Sequence, residues 1–181
     1  MTLNVNFIAG PGVGKSTTAA SIFSQIKRVY AGKITCELVT EVAKDFVWDG
    51  MPVPFDPFSI WASQRRKIQR LQDIVDIVIC DGPPILCPAY ARYEDSMSAT
   101  LLPQFEELVI ADHNERVNFN VWVSRKKPFS QVGRHVNEKQ ARELDGIIAS
   151  FLIRAQISTE NFDIEDSEID LLNSIIERYR P

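Results

Sequence analysis

Residues 9–17 read AGPGVGKST, and they stand directly between an apolar run, LNVNFI, and a stretch with helical periodicity, TAASIFSQIKRV. A strand that turns through glycines straight into a helix leaves the first N–H groups of that helix unpaired and converging on one point, where an anion satisfies them. The spacing is the relaxed form of the phosphate-binding P-loop, with Ala9 at the first glycine position and Gly14, Lys15 and Ser16 at the others. Around a β-phosphate the small residues let backbone N–H groups point inward, Lys15 reaches the β- and γ-phosphates, and Ser16 Oγ is placed for Mg²⁺. ATP and Mg²⁺ are the expected ligands, and a strand–loop–helix unit is the expected seed of the fold.

Five short apolar runs alternate with helical patterns: Leu3–Ile8, Ile34–Thr40, Asp76–Cys80, Asn118–Val123 and Asn161–Ile164. That alternation predicts an α/β P-loop NTPase fold, a five-stranded parallel sheet with helices on both faces. Ala19, Ile22, Phe23, Ile26 and Val29 recur at helical spacing, with Gly32 as the stop. A second apolar stripe runs from Phe58 to Ile74 behind Pro52, Pro54 and Pro57, and further helices are expected over Leu101–Ala111, after Asn137, and from Glu168 to Arg178. Asn137 with Gln140 forms a capping-box pattern. At 181 residues one domain over 1–181 is expected, with a basic lid at about 125–136.

Composition removes several function classes. No apolar run approaches the roughly 20 residues of a membrane span, and the first apolar run ends in a glycine loop rather than a signal-peptide cleavage site, so a cytoplasmic location is expected. Cys36, Cys80 and Cys87 lack metal or redox spacing and read as buried free thiols. His113 and His135 likewise carry no metal-ligand spacing and receive no role. A net charge of −4 neither indicates nor excludes nucleic acid, since a local basic groove can sit on an acidic chain.

The chemistry around the phosphate is read from the strand ends, where ligand sites form in open α/β sheets. No guanine-reading N-K-x-D follows a later strand, and the third strand ends DIVICDGPP with a single acid rather than the Asp-Glu pair of larger ATP-driven machines. Asp81 there suits Mg²⁺ coordination through water, or contact with an acceptor; a turn cap is the plainer alternative. The second strand ends ELVTEVAKDF, which sets Glu41 beside the P-loop. A carboxylate at that place can take the proton of an attacking hydroxyl or hold it in line, or can simply complement a helix dipole. Asp45, one turn on, could share the pocket face.

After the fourth strand, SRKKPFSQVGRHVNEKQARELDG has the basic, proline- and glycine-bearing composition of a lid. Arg134 is the first candidate to meet transferring charge and Arg125 the second, ahead of Lys126 and Lys127. The helix from Phe58 could wall an acceptor pocket, with Gln64 and Arg65 or Arg66 reading polar edges and Phe46, Trp48, Phe55 and Trp61 offering stacking surfaces. Its basic row, Arg65, Arg66, Lys67 and Arg70, would meet nucleic-acid phosphates if the acceptor were DNA.

The order AGPGVGKST, ELVTEVAKDFVWDG, VDIVICDGPPIL and KPFSQVGRHVNEKQARELD resembles small P-loop kinase-like ATPases of bacteriophages. These are similar to the ribosylnicotinamide kinase domain of the bacterial NAD regulator and, more distantly, to deoxynucleoside and thymidylate kinases. The resemblance spans about residues 3 to 165. It implies an ATP cradle from Gly10, Pro11, Gly12 and Val13 through Gly14 and Lys15 to Ser16 and Thr17. It also implies Asp81 as the acid after strand three, Arg134 as a lid arginine, and Glu41 as the acid that deoxynucleoside kinases hold after strand two. DGPP stands where those kinases carry a Glu-Arg pair, and the aspartate-arginine signature of thymidylate kinases is missing. The activity implied is ATP-dependent phosphorylation of a hydroxyl on a nucleoside-type acceptor. The leading acceptor is 5-hydroxymethyluracil within phage DNA, with a free nucleoside or nucleotide as the alternative and an ATP-binding switch as a rival from another class.

Overall fold

The computed structural model of the protein describes residues 1–126, 129–130, 132, 136–163 and 168–179. The chain is built on five strands, β1 (Leu3–Ile8), β2 (Cys36–Val39), β3 (Ile77–Asp81), β4 (Val117–Val123) and β5 (Glu160–Phe162), in one sheet of order β2-β3-β1-β4-β5. Every pairing is parallel. Parallel neighbours need crossovers, and these are supplied by helices α1 (Lys15–Val29), α2 (Val42–Trp48), α3 (Pro57–Gln69), α4 (Cys87–Tyr93), α5 (Leu101–Asn114) and α6 (Glu138–Arg154), with α7 (Glu168–Tyr179) after β5.

The two faces of β3 explain its near-continuous hydrophobicity. Ile77 and Ile79 join a core with Ala19, Ile22 and Ile26 of α1 and Leu172 and Ile175 of α7, whereas Val78 and Cys80 meet Ile68 of α3 on the other side. A third cluster, centred on Phe105, Leu144, Ile148 and Phe151, packs α5 and α6 against the face that carries Ile8. Fully burying such side chains stabilises the fold by about 1.5–3 kcal/mol each before entropy is counted. The three thiols are buried and unbridged, and burial pushes both Cys36 and Cys80 up to about 12, so they behave as small apolar groups.

Three features differ from the sequence expectation. Helix α3 ends at Gln69, and residues 71–75 form tight turns through Asp73 at positive φ instead of a further helical turn. A 3₁₀ turn (Pro84–Leu86) leads directly into α4, in a stretch for which no helix was expected. Its prolines stand at first-turn positions, where a missing N–H costs nothing. Finally, β1 is not apolar throughout: Asn4 and Asn6 are buried on one face, and Asn6 Nδ2 donates to Asn118 Oδ1 (3.0 Å) and Asn120 Oδ1 (2.9 Å).

This polar seam continues to His113, whose Nε2 lies 3.4 Å from Asn120 Nδ2. An amide nitrogen only donates, so the contact requires a neutral ring. Burial, reinforced by nearby Arg116, lowers His113 from 6.5 to about 4. Between those pH values the unfolded chain binds a proton here that the folded protein excludes, so stability is lost as pH falls through that window. His113→Gln should show a smaller drop in Tm between pH 7 and 4 than the wild type. Equal drops by calorimetry would place the acid sensitivity elsewhere.

Candidate active site

Strand register brings the site together. Phe7 pairs with Asp81 across β1 and β3, and Val39 pairs with Cys80 across β2 and β3, so the residues that follow β1, β2 and β3 leave the sheet at one edge. The loop after β1 enters α1 through Gly14, which holds φ 107° as the N-cap and offers no side chain to the first-turn N–H groups. Lys15 is buried, and its Nζ donates to the carbonyls of Ala9 and Gly10, each at 2.8 Å, so the loop is braced around its own ammonium. Burial lowers the Lys15 pKa, while Glu41 and Asp81 pull it back up.

A carboxylate that the sequence reading overlooked holds this loop to the rest of the protein. Asp145, on α6, accepts from Gly10 N through Oδ1 (2.8 Å) and from Arg125 Nε through Oδ2 (2.7 Å). The approach leaves no room for a side chain at position 10, where a Cβ would stand 2.5 Å from Asp145 Oδ1. Arg125 has a 7% exposed side chain, and both of its Nη atoms are buried without a hydrogen-bond partner among the described residues. Nη1 lies 3.5 Å from where a Cβ on Gly12 would be, and the Phe129 ring covers the same glycine. Buried, unpartnered guanidinium donors beside a glycine loop fit a nucleotide. The only sequence signal for Asp145 was an acid next to Leu144 on the buried side of an amphipathic helix.

Glu41 is the N-cap residue of α2, yet its side chain does not cap the helix. Buried Gln64 fixes the turn on either side of it: Oε1 accepts from Val42 N (2.9 Å) and Nε2 donates to Thr40 O (3.3 Å). Gln64 lines the cavity, as expected of this helix, but both ends of its amide bond the backbone on either side of Glu41 and so position that residue. Gly82, with φ 75°, completes the arrangement, because a Cβ there would meet Glu41 Cγ at 2.8 Å. The glycine of DGPP is therefore required by the neighbouring carboxylate.

Asp81 is buried, and its Oδ1 has no hydrogen-bond partner among the described residues. Its Oδ2 accepts from Lys44 Nζ at 3.0 Å, and the same ammonium donates to Ser16 Oγ and lies 3.8 Å from Glu41 Oε2. Ser16 and Asp81 thus converge on one cation, and the unpartnered buried oxygen of Asp81 fits a hard divalent ion such as Mg²⁺, which these two residues would hold.

One cavity of about 250 Å³ is lined by P-loop residues between Pro11 and Thr17, by Glu41 and Lys44, and by apolar and aromatic side chains that include Val47, Phe55, Ile60, Leu86 and Tyr90. Burial raises the Tyr90 hydroxyl well above its ordinary pKa, which keeps it a neutral donor. Of the aromatics expected as stacking surfaces, Trp48 and Phe55 line this cavity; Phe46 packs edge-on against Phe55, and Trp61 packs against Phe105. Asp45 does not share the pocket: it is exposed and paired with Lys67 at 3.4 Å. Arg134, His135 and Lys127 lie outside the described residues, and Lys126 pairs with Asp163.

Solved structures share this architecture. The crystal structure of the NadR protein in complex with NR matches with a TM-score of 0.71 at 14% identity, over 98% of this chain and 51% of that one. The chain therefore spans about half the length of NadR. The crystal structure of thymidylate kinase from Ehrlichia chaffeensis matches over 99% of this chain and 98% of that one, with a TM-score of 0.57 and 16% identity. The five-stranded parallel α/β fold is shared with both structures. No protein-family model and no curated protein matches the sequence. Among the described residues no helix is long and apolar enough to cross a membrane.

The brace at Asp145 makes a graded prediction. Asp145→Ala removes both hydrogen bonds, each to or from a charged group and so worth roughly 1.5–3 kcal/mol, and should weaken nucleotide binding by about tenfold or more. Asp145→Asn keeps an acceptor for Gly10 N and should lose less. Calorimetric titration with ADP that ranks the two variants equally would show that the Arg125 ion pair, not the Gly10 contact, carries the effect.

Proposed function

We propose that the protein is an ATP-dependent phosphotransferase acting on a hydroxyl of a nucleoside-type acceptor. The observation that carries this reading is one cavity lined together by the phosphate loop, the Glu41 carboxylate and a group of apolar and aromatic side chains that would receive the body of an acceptor. In the transfer, Glu41 takes the proton of the acceptor hydroxyl, the acceptor oxygen forms a bond to the γ-phosphorus, and the bond from that phosphorus to the β,γ-bridging oxygen breaks, releasing ADP. Lys15 and the loop N–H groups stabilise the β- and γ-phosphates through this step, and Arg125 holds the nucleotide against the loop. Ser16 and Asp81 would hold a divalent ion, which when bound would supply charge neutralisation on the phosphate oxygens. Arg134, in the lid sequence, is proposed as a further cation toward the transferring group.

For the acceptor, the resemblance of the sequence points to the hydroxymethyl group of 5-hydroxymethyluracil within DNA. A free nucleoside or nucleotide is the alternative, and a specific observation favours it. Two of the four cations in the row formed by α3 and its cap residue Arg70 already face carboxylates, Arg65 with Asp112 at 2.6 Å and Lys67 with Asp45, so that row is less available to track DNA phosphates. Radiolabelled ATP offered with hydroxymethyluracil-containing DNA and, separately, with a nucleoside and nucleotide panel distinguishes the two. Transfer to DNA should fall steeply with salt, whereas transfer to a small acceptor should not. Label reaching no acceptor, with ATP still bound, would sink the kinase reading in favour of an ATP-binding switch.

Two substitutions test the roles. Lys15→Ala should abolish transfer, and retained activity would refute the assigned cradle. Glu41→Gln should leave ATP affinity near that of the wild type and lower the transfer rate by roughly 10²–10⁴. An unchanged rate would remove Glu41 as the base.

A further inference from the structure

Lys44 has no part in the transfer described above, yet its ammonium occupies the meeting point of the site's oxygens. Nζ lies 3.0 Å from Asp81 Oδ2 and 3.8 Å from Glu41 Oε2, and it donates to Ser16 Oγ. Those partners come from three different places in the chain, the last residue of β3, the turn after β2 and the first turn of α1. Lys44 reaches them from α2, one turn beyond Glu41, and its side chain remains 40% exposed, so it has an open path out to solvent. Asp81 is only 5% exposed at its side chain and keeps one oxygen buried without a partner among the described residues. An ammonium with three donors satisfies three oxygens but cannot coordinate as a divalent ion does.

We propose that Lys44 is a tethered placeholder cation: in the nucleotide-free protein it holds the position between Ser16 and Asp81, and it is exchanged for the divalent ion when the metal–nucleotide complex enters. The inference rests on Ser16 and Asp81 as the metal-holding pair. Its physical basis is simple electrostatics. Glu41, Asp81 and Lys15 crowd this edge, but the Lys15 ammonium donates to the Ala9 and Gly10 carbonyls, so among the described residues Lys44 is the cation in direct contact with the buried Asp81 carboxylate. A lysine supplied by the chain neutralises that charge at no cost in recruiting an ion, yet a bare divalent ion must displace it against the local effective concentration of the tether. The nucleotide phosphates bring additional ligands for the metal and new partners for the released ammonium, so metal and nucleotide bind as a pair.

The test measures Mn²⁺ binding directly by electron paramagnetic resonance, with no turnover required. Wild-type protein without nucleotide should bind Mn²⁺ weakly, and ADP should tighten it. Lys44→Met keeps the length of the side chain without the charge, and should bind Mn²⁺ without nucleotide roughly tenfold or more tightly than the wild type. Adding Asp81→Asn to it should abolish that gain. Lys44→Gln serves as a second uncharged variant should the first melt abnormally. If both uncharged variants bind Mn²⁺ no better than the wild type, while ADP-dependent Mn²⁺ binding still requires Asp81, the placeholder role is overturned and the metal pair stands. If Asp81→Asn leaves ADP-dependent Mn²⁺ binding unchanged, the metal pair itself is wrong and the proposal falls with it.

Discussion

Parallel hydrogen bonding between β1 and its neighbours is the constraint from which the site follows. Because β1 pairs with β3 and β4 in fixed register, and β2 pairs with β3, the chain leaves all of these strands at the same edge. The P-loop, Glu41 and Asp81 are therefore neighbours as a consequence of topology. A one-residue slip of β3 would send Ile77 and Ile79 to the wrong face and carry Asp81 away from the loop. The core that buries both faces of β3 thus also sets the geometry of the carboxylates.

Around that edge the protein balances its own charges. Lys15 braces the loop by donating to two of its carbonyls, Asp145 ties the loop to α6 and to Arg125, and Lys44 lies among Ser16, Asp81 and Glu41. Each buried charge meets an opposite charge or a hydrogen-bonding group, which is the condition for keeping it ionised away from water. Among the described residues the Arg125 Nη atoms and Asp81 Oδ1 remain unmatched, which is what the proposed nucleotide and its cation would require.

Much of this was legible in one dimension. The loop could be read because its glycines, lysine and serine are consecutive and their function depends on backbone geometry that such a run dictates. Strand ends could be read because period and turn residues mark them, and with them Glu41 and Asp81. Asp145 and Lys44 were not legible, since their roles depend on which helix face meets the loop. Gln64 illustrates the difficulty: its type suggested a reader of polar ligand edges, while packing turned its amide onto the backbone around Glu41. The short helix after DGPP was hidden by prolines that break a helix in its interior but fit its first turn.

Local chemistry, written in contiguous residues, determined the phosphate cradle, the α/β alternation and the acids at the strand ends. Those depend on backbone dihedrals and hydrophobic period, which neighbouring residues control. The brace on Gly10, the partners of Lys15 and Lys44, the pairing of α3 cations with Asp112 and Asp45, and the apolar lining of the cavity were decided only by tertiary packing. They join residues far apart in the chain, as with Gly10 and Asp145, and only the closed sheet with helices on both faces brings such groups within hydrogen-bonding distance.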